Sequence, residues 1–378
     1  MRVVIAPDKF KGSLDAAGVA AALAAGVHDV VPGAHCELVP MADGGDGTVA
    51  AFVAGGAAAV RVVVPGPQGQ PVQAEYARDG DTAIIEMAAA SGLGVDPARE
   101  PLRASTEGTG ALVRDALDHG ARRIVIGIGG SATTDGGAGA LAALGARFYD
   151  AAGTPLDATP VALATVARID LAGLDTRLRE VDLAVACDVD NPLLGPTGAA
   201  AIYGPQKGAR PDDVAFLERV LGRLADAMQV ATGNDLRDLP GAGAAGGLGW
   251  ALASACGARL ERGVTLVAEV RGLAEALNGA DWCFTGEGRI DAQTLHGKVV
   301  VGVAEFAARA GVPVVAFGGS VDLDAERELR AHGVSCVPIA PGPMPFEVAI
   351  RETAANLRAA AARVARLLSA ASGRYTAS

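Results

Sequence analysis

Short apolar runs alternate with longer Ala- and Leu-rich stretches of helical periodicity at both ends of the chain. Apolar spacing predicts one helix over 14–27 and another that begins at Thr48. The runs that predict buried strands are RVVIAP (2–7), CELVPM (36–41), WCFTG (282–286), VPVVAFGG (312–319) and VSCVPI (334–339). Because strands that alternate with helices form parallel sheets with right-handed crossovers, both ends favour a Rossmann-like α/β fold.

The middle of the chain has a different pattern. Polar and apolar residues alternate over 66–88, which is typical of antiparallel or mixed strands. Two further predicted strands, RRIVIGIGG (122–130) and DLAVACD (182–188), each run into a loop of Gly and acidic residues. The middle therefore predicts a second, mixed sheet.

The length of the chain, 378 residues, exceeds what a single core usually holds, so two domains are expected. The strands at the two ends resemble each other more than those in the middle. We therefore predict a discontinuous Rossmann-like α/β domain formed by 1–65 plus 276–378, with an inserted α/β domain at 66–275 and the active site in the cleft. A simple division into N- and C-terminal halves is the alternative.

Composition narrows the class of protein. Half of the residues are apolar, only 4% are aromatic, and 51 are glycine, which suits an α/β protein whose loops close on small ligands. The formal charge of −11 repels phosphate backbones, so nucleic acid and anionic membranes are poor partners. An anionic small molecule would therefore need a local cluster of cations.

The cysteines and the apolar segments favour neither a metal or disulfide site nor a secreted or membrane protein. The five cysteines are far apart and form no CxxC pair, which argues against a disulfide framework or a zinc site. The N-terminal MRVVIAPDKFKG lacks a secretory apolar region, and the uncharged run 241–258 contains many glycines and predicts a loop plus a buried helix. A cytoplasmic protein is expected, and a homo-oligomer is left open.

Loops rich in Gly, Asp and Lys recur between predicted strands and helices. They are PDKFKGS (7–13), MADGGDGT (41–48), GIGGSATTDGGAG (127–139), CDVDNPLLG (187–195) and TGEGRIDAQT (285–294). Ligands of open α/β sheets bind at the carboxyl ends of the strands, where helix N-termini offer backbone N–H groups. The loop 127–139 is the best candidate to bind phosphate, although it is not a Walker loop.

Three of these loops carry acidic groups that suit Mg²⁺, which prefers one or two carboxylates together with phosphate oxygens and water. The groups are Asp43 with Asp46, Asp188 with Asp190 and Asn191, and Glu287 with Asp291. Helix capping is the competing explanation for any single Asp. Two acids and two glycines together exceed what a cap needs, so Asp43 and Asp46 are interpreted as functional.

Cations lie in the same Gly-rich loops and suit phosphate or carboxylate ligands. They are Lys9, Lys11, Lys207, Arg289 and Lys298. A second glycine pattern, GxGxxG at Gly241, Gly243 and Gly246, lacks a preceding apolar strand and is a weak dinucleotide signal. It leaves an NAD(P)-dependent oxidoreductase of small hydroxy acids as one alternative. A non-catalytic protein that binds small acids or nucleotides is the other.

Seven segments in this order resemble the bacterial type I glycerate kinases. They are IAPDKFKGSL, PMADGGDGT, GIGGSATTDGGAGA, ACDVDNPLLGPTGAA, YGPQKGA, PGAGAAGGLG and TGEGRIDAQTLHGK. The resemblance spans residue 3 to about 340. It implies phosphorylation of D-glycerate by ATP with Mg²⁺, usually to 2-phosphoglycerate, within glyoxylate metabolism. Lys9, Asp46 and Val300 depart from the family pattern without removing a charged group.

Roles for the site residues follow as hypotheses from the resemblance and from the demands of phosphoryl transfer. ATP phosphates are assigned to the loop residues Gly129, Gly130, Ser131, Thr133, Gly136 and Gly137, together with Lys207. Mg²⁺ is assigned to Asp188 and Asp190, or to Asp135. Glycerate is assigned to Lys11, Ser13, Arg289, Asp291 and Lys298. The catalytic set is Asp8, Lys11, Asp43, Asp46, Asp188, Glu287 and Arg289, with Asp43 or Asp46 as the proton acceptor.

Overall fold

The computed structural model describes residues 1–45, 47–295 and 297–371, and the chain divides into two compact units. Unit 1 is Met1–Asp43 with Val264–Ser378, and unit 2 is Gly44–Gly263. The sequence places the domain boundaries at 65/66 and 275/276, whereas the compact units change over at 43/44 and 263/264. The predicted α/β class, with one parallel and one mixed sheet, is confirmed.

Strands are distributed over both units. Within the described residues they are β1 (Arg2–Ile5), β2 (His35–Leu38), β3 (Ala58–Pro65), β4 (Pro71–Asp79), β5 (Thr82–Glu86), β6 (Arg123–Gly127), β7 (Arg147–Asp150), β8 (Pro155–Leu156), β9 (Val166–Asp170), β10 (Asp182–Ala186), β11 (Arg259–Glu261), β12 (Trp282–Ile290), β13 (Val314–Val321) and β14 (Val334–Pro338).

Helices alternate with these strands over most of the chain. In the same described ranges they are α1 (Ala16–His28), α2 (Thr48–Ala54), α3 (Ala88–Ser91), α4 (Glu107–Asp118), α5 (Ala138–Ala143), α6 (Ala199–Tyr203), α7 (Pro211–Thr232), α8 (Leu248–Cys256), α9 (Gly263–Val270), α10 (Leu273–Leu277), α11 (Val299–Ala310), α12 (Leu323–Ala331), α13 (Phe346–Arg351) and α14 (Thr353–Ala371). Short 3₁₀ turns cover Leu93–Val95, Ala162–Thr165, Thr176–Arg179, Pro205–Lys207 and Ala244–Gly247.

The sheet of unit 1 is parallel and has the order β14-β13-β12-β1-β2. Its central strands are apolar on both faces, as a parallel sheet covered by helices requires. Phe284 and Phe317 pack edge to face across β12 and β13, with ring centroids 5.2 Å apart. The ladder between β12 and β13 continues to Ile290, well beyond Phe284, where pairing with β1 ends. The carboxyl end of β12 therefore projects past its neighbour.

Helices α1 and α14 cover this sheet and pack closely on each other. Asp15 caps α1 by accepting a hydrogen bond from the N–H of Gly18 at 2.7 Å. A Cβ at Gly26 would clash with the carbonyl oxygen of Arg358, so the glycine lets the two helix backbones approach. Both ends of the chain thus contribute to one core.

The main sheet of unit 2 is mixed and has the order β11-β10-β6-β5-β4-β3. Strands β3, β4 and β5 pair antiparallel, whereas β5, β6, β10 and β11 pair parallel. Because β3 pairs with β4 from Ala58 to Pro65, it belongs to unit 2 although the sequence analysis placed 1–65 elsewhere. A small antiparallel sheet, β8-β7-β9, was not predicted.

The uncharged run 241–258 forms a 3₁₀ turn followed by the buried helix α8, in agreement with the sequence. Trp250 in α8 is fully enclosed in the core of unit 2. Across the described part of the chain, no helix has the length and apolar character needed to cross a membrane.

Candidate active site

The Gly-rich loops that carry ionisable residues lie at the carboxyl ends of the parallel strands in each unit. In unit 1 these are the loop after β1, which holds Asp8, and the end of β12, which holds Glu287. In unit 2 they are the loops after β6 and β10, which pair in parallel register. Since parallel strands end at the same edge, residues distant in sequence lie close together within each unit.

Asp8 and Glu287 form a buried acidic pair in unit 1. The N–H of Asp8 donates to the carbonyl oxygen of Gly286 at 2.8 Å, which fixes the loop against β12. Asp8 is 8% exposed and Glu287 is 7% exposed. One Asp8 oxygen accepts the N–H of Lys9 at 2.7 Å. Two carboxylates thus sit largely out of water in one small region.

Burial raises the proton affinity of both carboxylates. Burial, and next the charge of Asp43, raise the pKa of Asp8 to about 6, against the lowering effect of Lys9 and Lys298. Burial likewise raises the pKa of Glu287 to about 7; the negative charge of Asp8 adds to this effect, and the hydrogen bond from Thr294 opposes it. Either carboxyl can therefore exchange a proton near neutral pH.

Three cations assigned to glycerate lie in this part of unit 1. The Nε of Arg289 is 3.0 Å from Oδ2 of Asp291, and its side chain is 75% exposed. The Nζ of Lys298 donates to Oε1 of Gln293 at 3.0 Å, and Lys298 immediately precedes α11. Lys11 is exposed, and its backbone nitrogen lies beside Gly288 of β12. Positive charge is thus available close to the acidic pair.

Ser13, also assigned to glycerate, is engaged elsewhere in unit 1. Its Oγ lies 2.9 Å from the carbonyl oxygen of Ile350 and 2.6 Å from Oγ1 of Thr353. These contacts tie the loop after β1 to the junction of α13 and α14. The structure therefore brings Asp8 and Glu287 together, with Lys298 acting on both, and turns the Ser13 hydroxyl towards the helices.

In unit 2, Gly44 lies across the ends of β6 and β10. A Cβ at Gly44 would lie 2.6 Å from the Cβ of Ala186 and 2.9 Å from the Cα of Gly263. A Cβ at Gly127 would clash with the carbonyl oxygen of Gly44, so two backbones meet there. Gly44 also has φ +78°, a conformation that favours glycine. Gly44 of the loop 41–48 is therefore needed for close packing.

The loop 127–139 divides into an exposed tip and a buried base. Gly129 and Gly130 are exposed, whereas Ser131, Thr133 and the residues that follow are buried. The carbonyl oxygen of Gly130 accepts the N–H of Leu93 at 2.9 Å, and this anchors the tip. Of the residues assigned to ATP phosphates, the tip is the part that a ligand can reach directly.

Asp135 lies at the buried base of this loop and is 0% exposed. Its Oδ2 accepts hydrogen bonds from the N–H and hydroxyl of Thr106, at 2.8 and 2.7 Å, and from the N–H of Gly139 at 3.1 Å. Its Oδ1 accepts the N–H of Gly137 at 3.2 Å. Burial raises the pKa of Asp135, while these four donors act in the opposite direction. Both oxygens are thus occupied by protein donors.

Lys207, assigned to ATP, is also enclosed and only 1% exposed. Its Nζ donates to the carbonyl oxygen of Thr133 at 2.6 Å. Burial lowers the pKa of Lys207 to about 7, against the attraction of Asp135. The hydroxyls of Thr133 and Thr134 are buried without a hydrogen-bond partner among the described residues. Lys207 and Asp135 therefore stabilise the loop 127–139 through buried hydrogen bonds.

Asp188 and Asp190 follow β10 and are both exposed. The Oδ1 of Asp188 accepts the N–H of Gly263 at 3.0 Å. Asn191 is tied into the same loop, because its Oδ1 accepts the hydroxyl of Tyr203 at 2.6 Å. No cluster of three or more His, Cys, Asp or Glu side chains arranged to hold a metal occurs in the described ranges.

Comparison with known proteins decides the family. The model of the glycerate kinase family matches residues 3–369. A glycerate kinase of Bacillus subtilis (strain 168) is 47% identical over 97% of each chain, and a glycerate 2-kinase of Escherichia coli (strain K12) is 46% identical over 89% of this chain and 90% of its own. The chain belongs to the glycerate kinase family.

A solved structure agrees with this result. A crystal structure assigned to glycerate kinase 2 of Salmonella typhimurium LT2 superposes with a TM-score of 0.90, at 46% identity and over 99% of both chains. The resemblance found in the sequence is therefore confirmed. Members of the glycerate kinase family are phosphotransferases, so the enzyme class predicted from the loops is confirmed as well.

The GxGxxG pattern has a structural role in this glycerate kinase fold. A Cβ at Gly246 would clash with the carbonyl oxygen of Thr133, and the carbonyl oxygen of Gly246 accepts the N–H of Gly136 at 2.9 Å. No strand lies between α7 and α8 in the described residues, although a dinucleotide site requires one. The glycines instead let two loops pack backbone to backbone, and the oxidoreductase alternative loses its basis.

Asp46, which the sequence analysis assigned to the catalytic set, lies outside the described residues. The sequence analysis also missed two residues that hydrogen-bond directly to assigned carboxylates. They are Thr106, which donates to Asp135, and Thr294, which donates to Glu287. The spacing Asp291-x-x-Thr294 is a turn signal that could have drawn attention to Thr294.

Proposed function

We propose that the protein transfers the terminal phosphoryl group of ATP to the 2-hydroxyl of D-glycerate, with Mg²⁺ present, to give 2-phosphoglycerate. Family membership supports the acceptor, and the name of the Escherichia coli relative, glycerate 2-kinase, supports position 2. The observation that carries the proposal is the buried pair Asp8 and Glu287, which have raised pKa values and on which the cation of Lys298 acts. Arg289 follows Glu287 on the same strand, β12.

Glycerate is an anion and needs cations in a protein with a formal charge of −11. Arg289 can bind a carboxylate with two parallel hydrogen bonds, and its exposed guanidinium is held by Asp291 through Nε. Lys298 precedes the N-terminus of α11, which adds partial positive charge. We assign the carboxylate of glycerate to Arg289 and Lys298, with Lys11 as the third cation.

Glu287 is our candidate for the proton acceptor. A general base works best when its pKa lies near the operating pH, and the pKa of Glu287 is raised to about 7. Asp8 shares this environment and adds negative charge, which strengthens the affinity of Glu287 for a proton. Asp43 acts on Asp8 in the same direction. This proposal replaces Asp43 and Asp46 as the first candidates for the base.

The exposed tip of the loop 127–139 is our candidate for the phosphates of ATP. Gly129 and Gly130 allow close approach to the backbone, and Ser131 follows with a hydroxyl. We assign Lys207 and Asp135 to the support of this tip, because both are enclosed and bonded to the loop. The pre-formed loop would bind phosphate without first paying the entropy of ordering.

Asp188 and Asp190 fit Mg²⁺ better than Asp135 does. Both are exposed carboxylates on one short loop, a donor set that Mg²⁺ accepts when phosphate oxygens and water complete its shell. The two oxygens of Asp135 already accept four hydrogen bonds. When bound, Mg²⁺ would neutralise charge on the phosphates of ATP.

The activity is tested by incubating the purified protein with ATP, Mg²⁺ and D-glycerate. ADP release should depend on D-glycerate, and the phosphorus NMR spectrum should show the 2-phospho isomer. L-Glycerate and lactate are matched controls, since they test the configuration and the 3-hydroxyl. ADP release that does not depend on D-glycerate would contradict the proposed acceptor. A 3-phospho product would contradict the proposed position of transfer.

A further inference from the structure

Thr294 is completely buried and lies between Glu287 and Asp291 in unit 1. Its Oγ1 is 2.6 Å from Oε1 of Glu287 and 3.0 Å from the backbone nitrogen of Asp291. A backbone N–H can only donate, so the threonine hydroxyl accepts from Asp291. Its single proton is then directed to Glu287, and the direction of the short bond is fixed.

The turn that carries Thr294 is itself rigid. The N–H of Thr294 donates to the carbonyl oxygen of Asp291 at 2.9 Å, and the N–H of Gln293 donates to Oδ1 of Asp291 at the same distance. The hydroxyl is thereby locked in place behind the carboxylate of Glu287. A donor in a fixed position selects both the rotamer and the charged state of the carboxylate.

We propose that Thr294 is a positioning residue for phosphoryl transfer, which orients Glu287 and keeps its proton affinity low enough for it to act as a base. This inference rests on the proposed function, in which Glu287 accepts the proton of the glycerate hydroxyl. Thr294 does not touch substrate in this proposal. It acts only through Glu287.

The charges around Glu287 explain why a donor is needed. Asp8, after β1, and Asp291, at the end of β12, are negative and raise its affinity for a proton, whereas Lys298, before α11, lowers it. The neighbouring strand β13 carries no charged side chain. Without the hydroxyl of Thr294, burial and two negative charges would be opposed mainly by the charge of Lys298 among the described residues. Glu287 would then hold its proton at neutral pH.

The test compares Thr294→Val with Thr294→Ser over a range of pH. In the wild type, kcat/KM for D-glycerate should rise with pH on the acid side of the pH profile. The pH of this rise, called the acid limb below, should be set by the pKa of Glu287. Thr294→Val keeps the shape and removes the donor, so its limb should move up by about one pH unit, because hydrogen bonds to charged groups are worth that much. A shift of that size from a starting pKa near 7 lowers kcat/KM at pH 7 about fivefold and restores it near pH 9. Thr294→Ser should keep the wild-type limb.

Two further variants keep the inference falsifiable. Thr294→Cys offers a weaker donor and should give an intermediate limb, which matters if the valine variant does not fold. Asp8→Asn removes a negative neighbour and should move the limb downwards, which confirms that the limb reports Glu287. A limb at the wild-type pH in Thr294→Val and Thr294→Cys, with activity lowered equally at every pH, would overturn the positioning role.

Failure of the proposed function would look different. If Glu287→Gln kept the acid limb, Glu287 would not be the base, whatever Thr294 does. If no variant, including the wild type, released ADP in response to glycerate, the activity itself would be wrong. The threonine variants are interpreted only in relation to those two results.

Discussion

The Nζ of Lys207 lies 2.6 Å from the carbonyl oxygen of Thr133, inside unit 2 and out of contact with water. A buried ammonium loses its hydration, and one carbonyl replaces only a part of it. This is why burial lowers the pKa of Lys207 from 10.5 to about 7. The position of the loop is thus linked to the protonation of a single lysine.

The stability of unit 2 should consequently depend on pH through Lys207. In the unfolded chain the lysine binds its proton up to about pH 10.5, whereas in the folded chain it releases it near pH 7. The unfolded state therefore holds more protons between these values, and the free energy of unfolding should rise with pH there. Lys207→Met should remove this rise, which we expect to amount to a few kcal/mol.

The measurement is urea unfolding at several values of pH in a Trp282→Phe background, in which Trp250 of unit 2 reports. The control is Lys11→Met, because Lys11 is exposed, and its pH dependence should follow the wild type. If Lys207→Met and the wild type changed in parallel from pH 7 to pH 10, Lys207 would be charged throughout and the linkage would be absent.

Asp135→Asn tests whether the buried carboxylate supports the loop or binds Mg²⁺. An amide has one acceptor oxygen, so at least one of the N–H groups of Thr106, Gly137 and Gly139 would face a donor. We expect a loss of stability of about 2–4 kcal/mol and a higher KM for ATP. The concentration of Mg²⁺ at half-maximal rate should stay unchanged.

Asp188→Asn is the matched variant for this test. It should raise the Mg²⁺ requirement and leave the free energy of unfolding nearly unchanged, since the side chain of Asp188 is exposed to solvent, unlike that of Asp135. The reverse pattern, in which Asp135→Asn shifts the Mg²⁺ requirement at normal stability, would assign the metal to Asp135.

Much of the fold could be read from the sequence because the strands of a parallel sheet are apolar on both faces. The runs at 2–7, 282–286 and 312–319 show this clearly and became β1, β12 and β13. Strand β3 was missed, since it is an edge strand whose apolar sequence is interrupted by Arg61 and whose burial alternates. The predicted boundary at 65/66 therefore lies after β3, whereas the compact units change over at 43/44.

The site was only partly predictable, because polar residues in Gly-rich loops look alike whether they face a ligand or the interior. Asp135 and Asp188 both follow strands, yet one is enclosed by four donors and the other is exposed. Only the packing of Thr106 and Gly139 around Asp135 distinguishes them. Thr294 was overlooked because an uncharged residue gives no electrostatic signal in a sequence.

The glycine at position 44 should be intolerant of any side chain. Gly44→Ala would bring a Cβ to 2.6 Å from the Cβ of Ala186 and place alanine at φ +78°. The conformation costs about 1–2 kcal/mol and the overpacking about 1–3 kcal/mol more. Thermal unfolding and kcat/KM for glycerate should both show the loss.

A matched substitution separates the two costs at Gly44. Gly233 ends α7 with φ +79°, and a Cβ there would meet nothing within 4 Å. Gly233→Ala should therefore show the conformational cost alone and keep full activity. Equal losses of stability in the two variants would mean that the loop 41–48 can move away from Ala186, and the close packing would not be required.

Glu287 should lower the stability of the folded protein while it serves the reaction. Its pKa is about 7 when folded and about 4.5 in an unfolded chain, so the folded state holds more protons between these values. The free energy of unfolding should fall as pH rises through this window, by roughly 3 kcal/mol.

Glu287→Gln removes the charge and keeps an acceptor for Thr294. It should therefore be inactive yet more stable than the wild type at pH 8, with this advantage lost at pH 4. Urea unfolding at both values measures this, and Glu328→Gln, an exposed substitution on α12, should show no such dependence. Parallel pH curves for Glu287→Gln and the wild type would mean that Glu287 keeps an ordinary proton affinity, and it would then be a poor candidate for the base.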